Sequence, residues 1–316
     1  MTETLRALAP GKTNLCLFLG PTRPDGLHEL VSLIEPLSLA DELTLAPLPG
    51  AALLPAAPGL SDAACAAGED EVVCPGVSGP NLAATALARY RAASGWEGAP
   101  RRLTIVKRVP VAAGMGGGSG DAAAALRLAA HAAGRPGDPA IARLAPGLGA
   151  DVPSQVEPRP VLVHGAGEHV ESAAQPAPHA VLVLPSSEQL STPAVFREAD
   201  RLGIGRDADE LAALRERLRA GLAPELVVND LQAAARSLCP PIDDALAAAR
   251  AAGADHALVS GSGPTVVGVY WGEDGMERAE AAASSLAGRF PGAVATRPVG
   301  PDFAAVVRVR DNEGSS

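Results

Sequence analysis

The sequence predicts a two-domain protein of mixed α+β class. Its 316 residues suffice for two domains of ordinary size. Residues 102–107 read as a strand feeding a glycine-rich turn, Gly114-Met-Gly-Gly-Gly-Ser-Gly120. The helix-forming run Asp121-Ala-Ala-Ala-Ala-Leu126 follows directly. The second half then interleaves short apolar runs with helix-length ones, an order that suggests an α+β layer.

Taken in order, Lys12-Thr-Asn-Leu-Cys-Leu-Phe-Leu-Gly20 reads as a buried strand closed by glycine, and the Pro/Gly cluster at 21–26 is a turn leading to His28. Residues 27–36 and 41–46 are further strand material, and the Ala/Pro/Gly-rich stretch 47–68 reads as a loop or surface insertion. Residues 81–94 carry apolar side chains at helical spacing (Leu82, Ala86, Leu87, Tyr90), with Gly95 as the stop. Beyond the glycine loop and its helix, 141–144 is a short helical piece. The turn-rich Gly147-Leu-Gly-Ala-Asp-Val-Pro153 closes the first domain. The expected division is 1–155 and 156–316. In the second part strands are expected at 161–164, 180–184, 257–260 and 265–270, and helices at 208–220, 241–252 and 275–287. The polar tail 311–316 is expected to be disordered.

A formal net charge of −10, with no basic stripe, argues against a nucleic-acid partner. No apolar run approaches the ~20 residues needed to span a bilayer, and the N-terminus has no signal-peptide core. The expectation is a cytoplasmic protein, monomer or homodimer, acting on a small molecule and not at a membrane. Cys16, Cys65, Cys74 and Cys239 form no C-x-x-C pair, which indicates neither a zinc site nor a disulfide framework. Of 26 basic residues only Lys12 and Lys107 are lysine. Lysine offers a compact ammonium of tunable pKa where arginine offers a bulky fork, so both become candidates for chemistry.

The glycine loop is a phosphate cradle. Its bare backbone permits close approach, and the unpaired N–H groups at the start of the following helix sit at the positive end of the helix dipole. It is neither a Walker A loop, lacking the Lys-Ser/Thr, nor G-x-G-x-x-G. Asp151 alone reads equally as an exposed turn acid, and Lys12 as a solvated strand end. Together, near a phosphate cradle, they supply a proton acceptor and an ammonium for phosphorylating a hydroxyl. His28 could bind a planar ligand or be a surface histidine. The second glycine segment, Ser260-Gly-Ser-Gly-Pro-Thr265, is either a tight hairpin or backbone brought close to the phosphates.

Four ordered blocks resemble the GHMP kinases. They are Ala9-Pro-Gly-Lys-Thr-Asn-Leu15 running to Arg23-Pro-Asp-Gly-Leu-His-Glu29, the glycine loop with its Lys107-Arg-Val-Pro110 lead-in, Gly149-Ala-Asp-Val-Pro153, and Ser260–Thr265. The resemblance implies an N-terminal ATP-binding domain with a left-handed β-α-β crossover and a C-terminal ferredoxin-like domain. It implies ATP and Mg²⁺ as cofactors, Asp151 as the general base and Lys12 as its partner. ATP contacts are implied at Lys107, Pro110, Ala113, Gly114, Met115, Gly116, Gly117, Gly118, Ser119 and Gly120. Substrate contacts are implied at Asn14, His28, Thr192 and Phe196, with His28 hydrogen-bonding a cytosine and Phe196 stacking on it. No protein ligand for a metal is identified. The D-G-x-H block narrows the resemblance to members that phosphorylate the 2-hydroxyl of 4-diphosphocytidyl-2-C-methyl-D-erythritol in the non-mevalonate isoprenoid pathway. A GHMP kinase for another small alcohol, or a non-catalytic sensor of the same fold, is the alternative. Three departures bear on this: Leu27 stands where the family has Tyr or Phe, Gly120 where it has a second serine, and Ser154 where members often place an aromatic.

Overall fold

The computed structural model describes residues 3–48, 70–77, 79–111 and 113–309. Most of the 47–68 stretch, with Cys65, and the tail at 311–316 lie outside them.

Two long strands, β1 (Thr4–Thr22) and β2 (His28–Pro47), open the chain as one antiparallel ribbon. The turn at 23–26 joins them, and the two stretches expected as separate strands are one continuous β2. β3 (Glu71–Val73), α1 (Leu82–Ser94) and β4 (Arg101–Val106) follow; β3 and β4 are parallel, so α1 is their crossover. Asn81 caps α1, its side chain accepting from the Ala83 N–H, and Gly95 ends the helix in the left-handed conformation. The glycine loop leads into α2 (Gly117–Ala132), after which α3 (Ala140–Leu144) and α4 (Val152–Val156) are single turns. β5 (Val161–Gly165) pairs with β2, and β6 (His169–Ser172) with β5.

β7 (His179–Leu184) starts a second sheet. Next come α5 (Thr192–Leu202), α6 (Ala208–Ala220), α7 (Gln232–Leu238) and α8 (Pro241–Ala251). Then follow β8 (His256–Val259), β9 (Val266–Trp271), α9 (Gly275–Leu286) and β10 (Val294–Thr296). The order β10-β7-β9-β8, wholly antiparallel with helices in both crossovers, is the β-α-β-β-α-β ferredoxin-like arrangement. β11 (Val307–Val309) returns to pair with β1, so the first sheet runs β11-β1-β2-β4-β3 with β5 and β6 alongside. Three strands of this sheet, β5, β6 and β11, therefore lie beyond residue 155.

α2 is placed by its composition. Ala122 to Ala125, Ala129 and Ala130 are fully buried against Leu43, Leu103 and Ile105 of the sheet and Leu87 and Tyr90 of α1. Methyl side chains let the helix lie close to the strands, while Gly118 and His131 leave part of its surface exposed. A second core cluster fills the space between the two sheets, joining Leu15, Phe18 and Leu33 to Val181, Val183, Leu258 and Val267.

Candidate active site

Lys12 and Asn14 lie two apart on β1, between register slips at Pro10/Lys12 and Asn14/Cys16. Residues two apart on a strand share a face, and a bulge re-aims its side chains. The Lys12 ammonium, 5% exposed as a residue, donates to Asn14 Oδ1 at 2.9 Å, while Asn14 Nδ2 donates to Ser32 Oγ at 2.7 Å. The Ser32 hydroxyl in turn donates to the Cys16 carbonyl. Lys12 Nζ then lies 3.6 Å from Asp151 Oδ2. Asp151 occupies the N-cap position of α4 yet makes no side-chain cap bond, which leaves its carboxylate, 37% exposed, turned to the lysine.

The loop closes over this pair. Gly114 and Gly116 have φ of +75° and +65°, a conformation favouring glycine. Neither could carry a side chain: a Cβ on Gly114 would lie 2.2 Å from the Ser260 carbonyl, and one on Gly116 2.8 Å from Lys12 Cγ. The Met115 carbonyl accepts from the Lys12 backbone N–H, tying loop to strand. The second glycine segment is the hairpin between β8 and β9 and also lies against the first loop, with Ser260 Oγ donating to the Gly114 carbonyl.

Two cavities meet here. One, of about 750 Å³, is lined by Lys12, Asn14, Asp151, His28, Thr192 and Phe196, among others; the other, of about 330 Å³, by Lys107, Pro110, Ala113, Gly117, Gly118 and Asp121. Gly114, Gly116 and Ser119 line both. Two of the expected ATP contacts face elsewhere. The Met115 side chain is buried in the core between the sheets, and Gly120 is packed so that a Cβ would meet the Pro10 carbonyl at 2.9 Å. The absent serine at 120 therefore concerns β1, not the cavity. Leu27, 55% exposed, stands on the rim of the larger cavity.

Lys107 is held by two carboxylates, Asp41 Oδ2 at 2.5 Å and Asp121 Oδ2 at 2.7 Å. Asp41 Oδ1 also accepts the backbone N–H groups of Arg108 and Val109, fixing the lead-in to the loop. Burial pushes Asp121 up to about 7, with Asp41 reinforcing it and Lys107 opposing it. Burial disfavours the Lys107 ammonium, yet Asp121 and Asp41 outweigh it and its pKa is raised. Among the described residues Asp121 Oδ1, which is buried, has no hydrogen-bond partner. Among the described residues no group of three or more His, Cys, Asp or Glu is arranged to hold a metal, and Cys16, Cys74 and Cys239 are free thiols.

Asp41, Ser32 and Asp200 are site residues that sequence reasoning missed. Each is an ordinary polar residue within an element, and only pairing across the sheet or against a helix gives it a partner. Asp121 stands directly after the last glycine of the loop, but its pairing with Lys107 does not follow from that position.

The model for the N-terminal domain of GHMP kinases matches residues 81–157, and that for the C-terminal domain of GHMP kinases residues 197–288. The chain is 42% identical over 274 residues to a 4-diphosphocytidyl-2-C-methyl-D-erythritol kinase of Streptomyces coelicolor, covering 84% of this chain and 86% of that one. It is 40% identical over 284 residues to the kinase of the same name from Pseudarthrobacter chlorophenolicus, covering 84% of each. A crystal structure of 4-(cytidine 5'-diphospho)-2C-methyl-D-erythritol kinase superimposes with a TM-score of 0.70 at 32% identity, over 93% of this chain and all of that one.

Proposed function

This chain belongs to the GHMP kinase family and is an ATP-dependent kinase; from that premise we propose that it phosphorylates the 2-hydroxyl of 4-diphosphocytidyl-2-C-methyl-D-erythritol. The observation that carries the reading is the shared wall: Gly114, Gly116 and Ser119 face both cavities. A nucleotide in the smaller cavity thus presents its terminal phosphate to a hydroxyl beside Lys12 and Asp151.

In this reading the start of α2 and the loop N–H groups hold the phosphates. Asp151, free of capping duty, takes the hydroxyl proton as the oxygen attacks the γ-phosphorus and the bond to the ADP oxygen breaks. Lys12, oriented by Asn14, stabilises the charge gathering between them. Asn14, His28, Thr192 and Phe196 hold the cytidyl substrate. Mg²⁺ accompanies ATP and offsets phosphate charge; Ser119 and Asp121, the latter with its partnerless oxygen, are the side chains of the loop cavity that would meet it. The acting unit spans both sheets, and we place the division of the chain after β6.

The test is ADP release with MgATP and the cytidyl substrate, run beside methylerythritol 4-phosphate, mevalonate and homoserine. Turnover confined to the first is the expected result. Turnover on another alcohol instead, or on none with ATP still bound, would refute the substrate assignment.

A further inference from the structure

We propose that Asp200 reads the base of the substrate, its carboxylate selecting a base with an exocyclic amine, cytosine, over one with a carbonyl in the same place, uracil. The inference rests on the assignment of the larger cavity to a cytidyl substrate.

α5 lays one face along that cavity: Thr192, Pro193, Phe196, Arg197 and Asp200 recur at helical spacing and all line it. Phe196 and Asp200, one turn apart, bracket the same imidazole. The His28 and Phe196 ring centroids are 5.4 Å apart, and His28 Nε2 lies 3.1 Å from Asp200 Oδ1. A base laid on Phe196 therefore has its edge within reach of the His28–Asp200 pair. Of the polar side chains at this end of the cavity, His28 faces acceptors with both ring nitrogens, the Gly20 carbonyl at 3.3 Å from Nδ1 and Asp200 at Nε2. The Thr192 hydroxyl is bonded to Ser262 Oγ at 2.8 Å. Asp200, 52% exposed at its side chain, is the carboxylate here with an oxygen to spare. Cytosine presents an amine that a carboxylate accepts from, whereas uracil presents a carbonyl whose lone pairs it repels. Leu27 on the rim stacks poorly, so discrimination falls to the base edge.

The experiment is kcat/KM for 4-diphosphocytidyl- and 4-diphosphouridyl-2-C-methylerythritol with wild type, Asp200→Ala and Asp200→Asn, with CDP and UDP as competing inhibitors. Asp200 is in the last turn of α5, where loss of a negative charge favours the helix dipole, so both variants should fold. Wild type is expected to prefer cytidine. Asp200→Ala should shrink that preference by about tenfold or more. Asp200→Asn should shrink it further by raising uridyl turnover, its amide donating to the uracil carbonyl. An unchanged ratio in both variants, or equal use of both nucleotides by wild type, would overturn the role of Asp200 while leaving the kinase reading intact. No wild-type turnover on the cytidyl substrate would instead overturn the parent reading.

Discussion

In the proposed reaction Lys12 and Asp151 divide the labour of a proton transfer next to a charged phosphate. The lysine is buried and held by Asn14 Oδ1, while the carboxylate is over a third exposed and unencumbered. Asp151→Asn should therefore lower kcat by about 10²- to 10⁴-fold, the usual contribution of a positioned base. ATP affinity measured by equilibrium binding should persist, because in the proposed reading the phosphates are held by the glycine loop. A kcat within twofold of wild type would remove Asp151 from the mechanism. Asp121 makes a separate prediction through pH. Its carboxyl is raised from 3.8 to about 7, so the folded chain binds that proton more tightly than the unfolded one. The group's contribution to stability then declines as pH rises from about 4 to about 7, the reverse of an ordinary salt-bridged carboxylate. Asp121→Asn should flatten that part of the profile of Tm against pH; a slope equal to that of wild type would refute the shift.

The glycine loop is an element whose residues do different work. Gly114→Ala adds a methyl against the Ser260 carbonyl in a left-handed conformation. It should cost about 2 kcal/mol or more and raise KM for ATP. Gly118→Ala meets open space and should shift stability by no more than about 0.5 kcal/mol. Gly120→Ser, although it restores the family's usual residue, drives a side chain toward the Pro10 carbonyl and should destabilise by about 1–3 kcal/mol. Urea unfolding of the three variants orders them, and a Gly120→Ser protein as stable as wild type would show that β1 gives way.

Across the whole molecule the two sheets are joined by polar contacts as well as by their common apolar core. Glu35 of β2 and His179 of β7 form a fully buried pair, with Nε2 donating at 2.7 Å, Nδ1 facing the Ala177 carbonyl and the imidazole 4.7 Å from the Trp271 ring. Burial opposes the imidazolium, but Glu35 and the Ala177 carbonyl overcome it and the pKa is raised. A raised histidine stabilises fully below its unfolded pKa of about 6.5 and loses that stability as pH climbs through the folded value. Glu35→Ala should cost about 3–5 kcal/mol at pH 6 by stranding a buried charge. It should cost less above the folded pKa of His179, where the ring is neutral. A cost independent of pH in guanidinium titrations would mean that the pair is not ionised.

Much of this was legible because it is local. The caps of α1, the alanine run of α2 and the spacing of α6, α8 and α9 are written in neighbouring residues, and the loop glycines announce a bare-backbone turn before a helix by their number. The weak edge strands β3, β6, β10 and β11, three or four residues each, carry too few side chains to show a period, and pairing with a neighbour creates them. α5 was visible only as the Thr192–Phe196 segment. Its full length, and with it Asp200 beside His28, depends on packing against the opposite sheet. By itself the sequence determined the family and the glycine-rich turn before a helix, and it pointed to Lys12 with Asp151 as the pair for the proposed chemistry, since these rest on residue types at short spacings. Only the tertiary structure decided which side chains meet: Asp41 and Asp121 on Lys107, Ser260 on Gly114, Glu35 on His179. Each such contact joins residues 14 or more apart through strand register and helix placement, which no local pattern encodes.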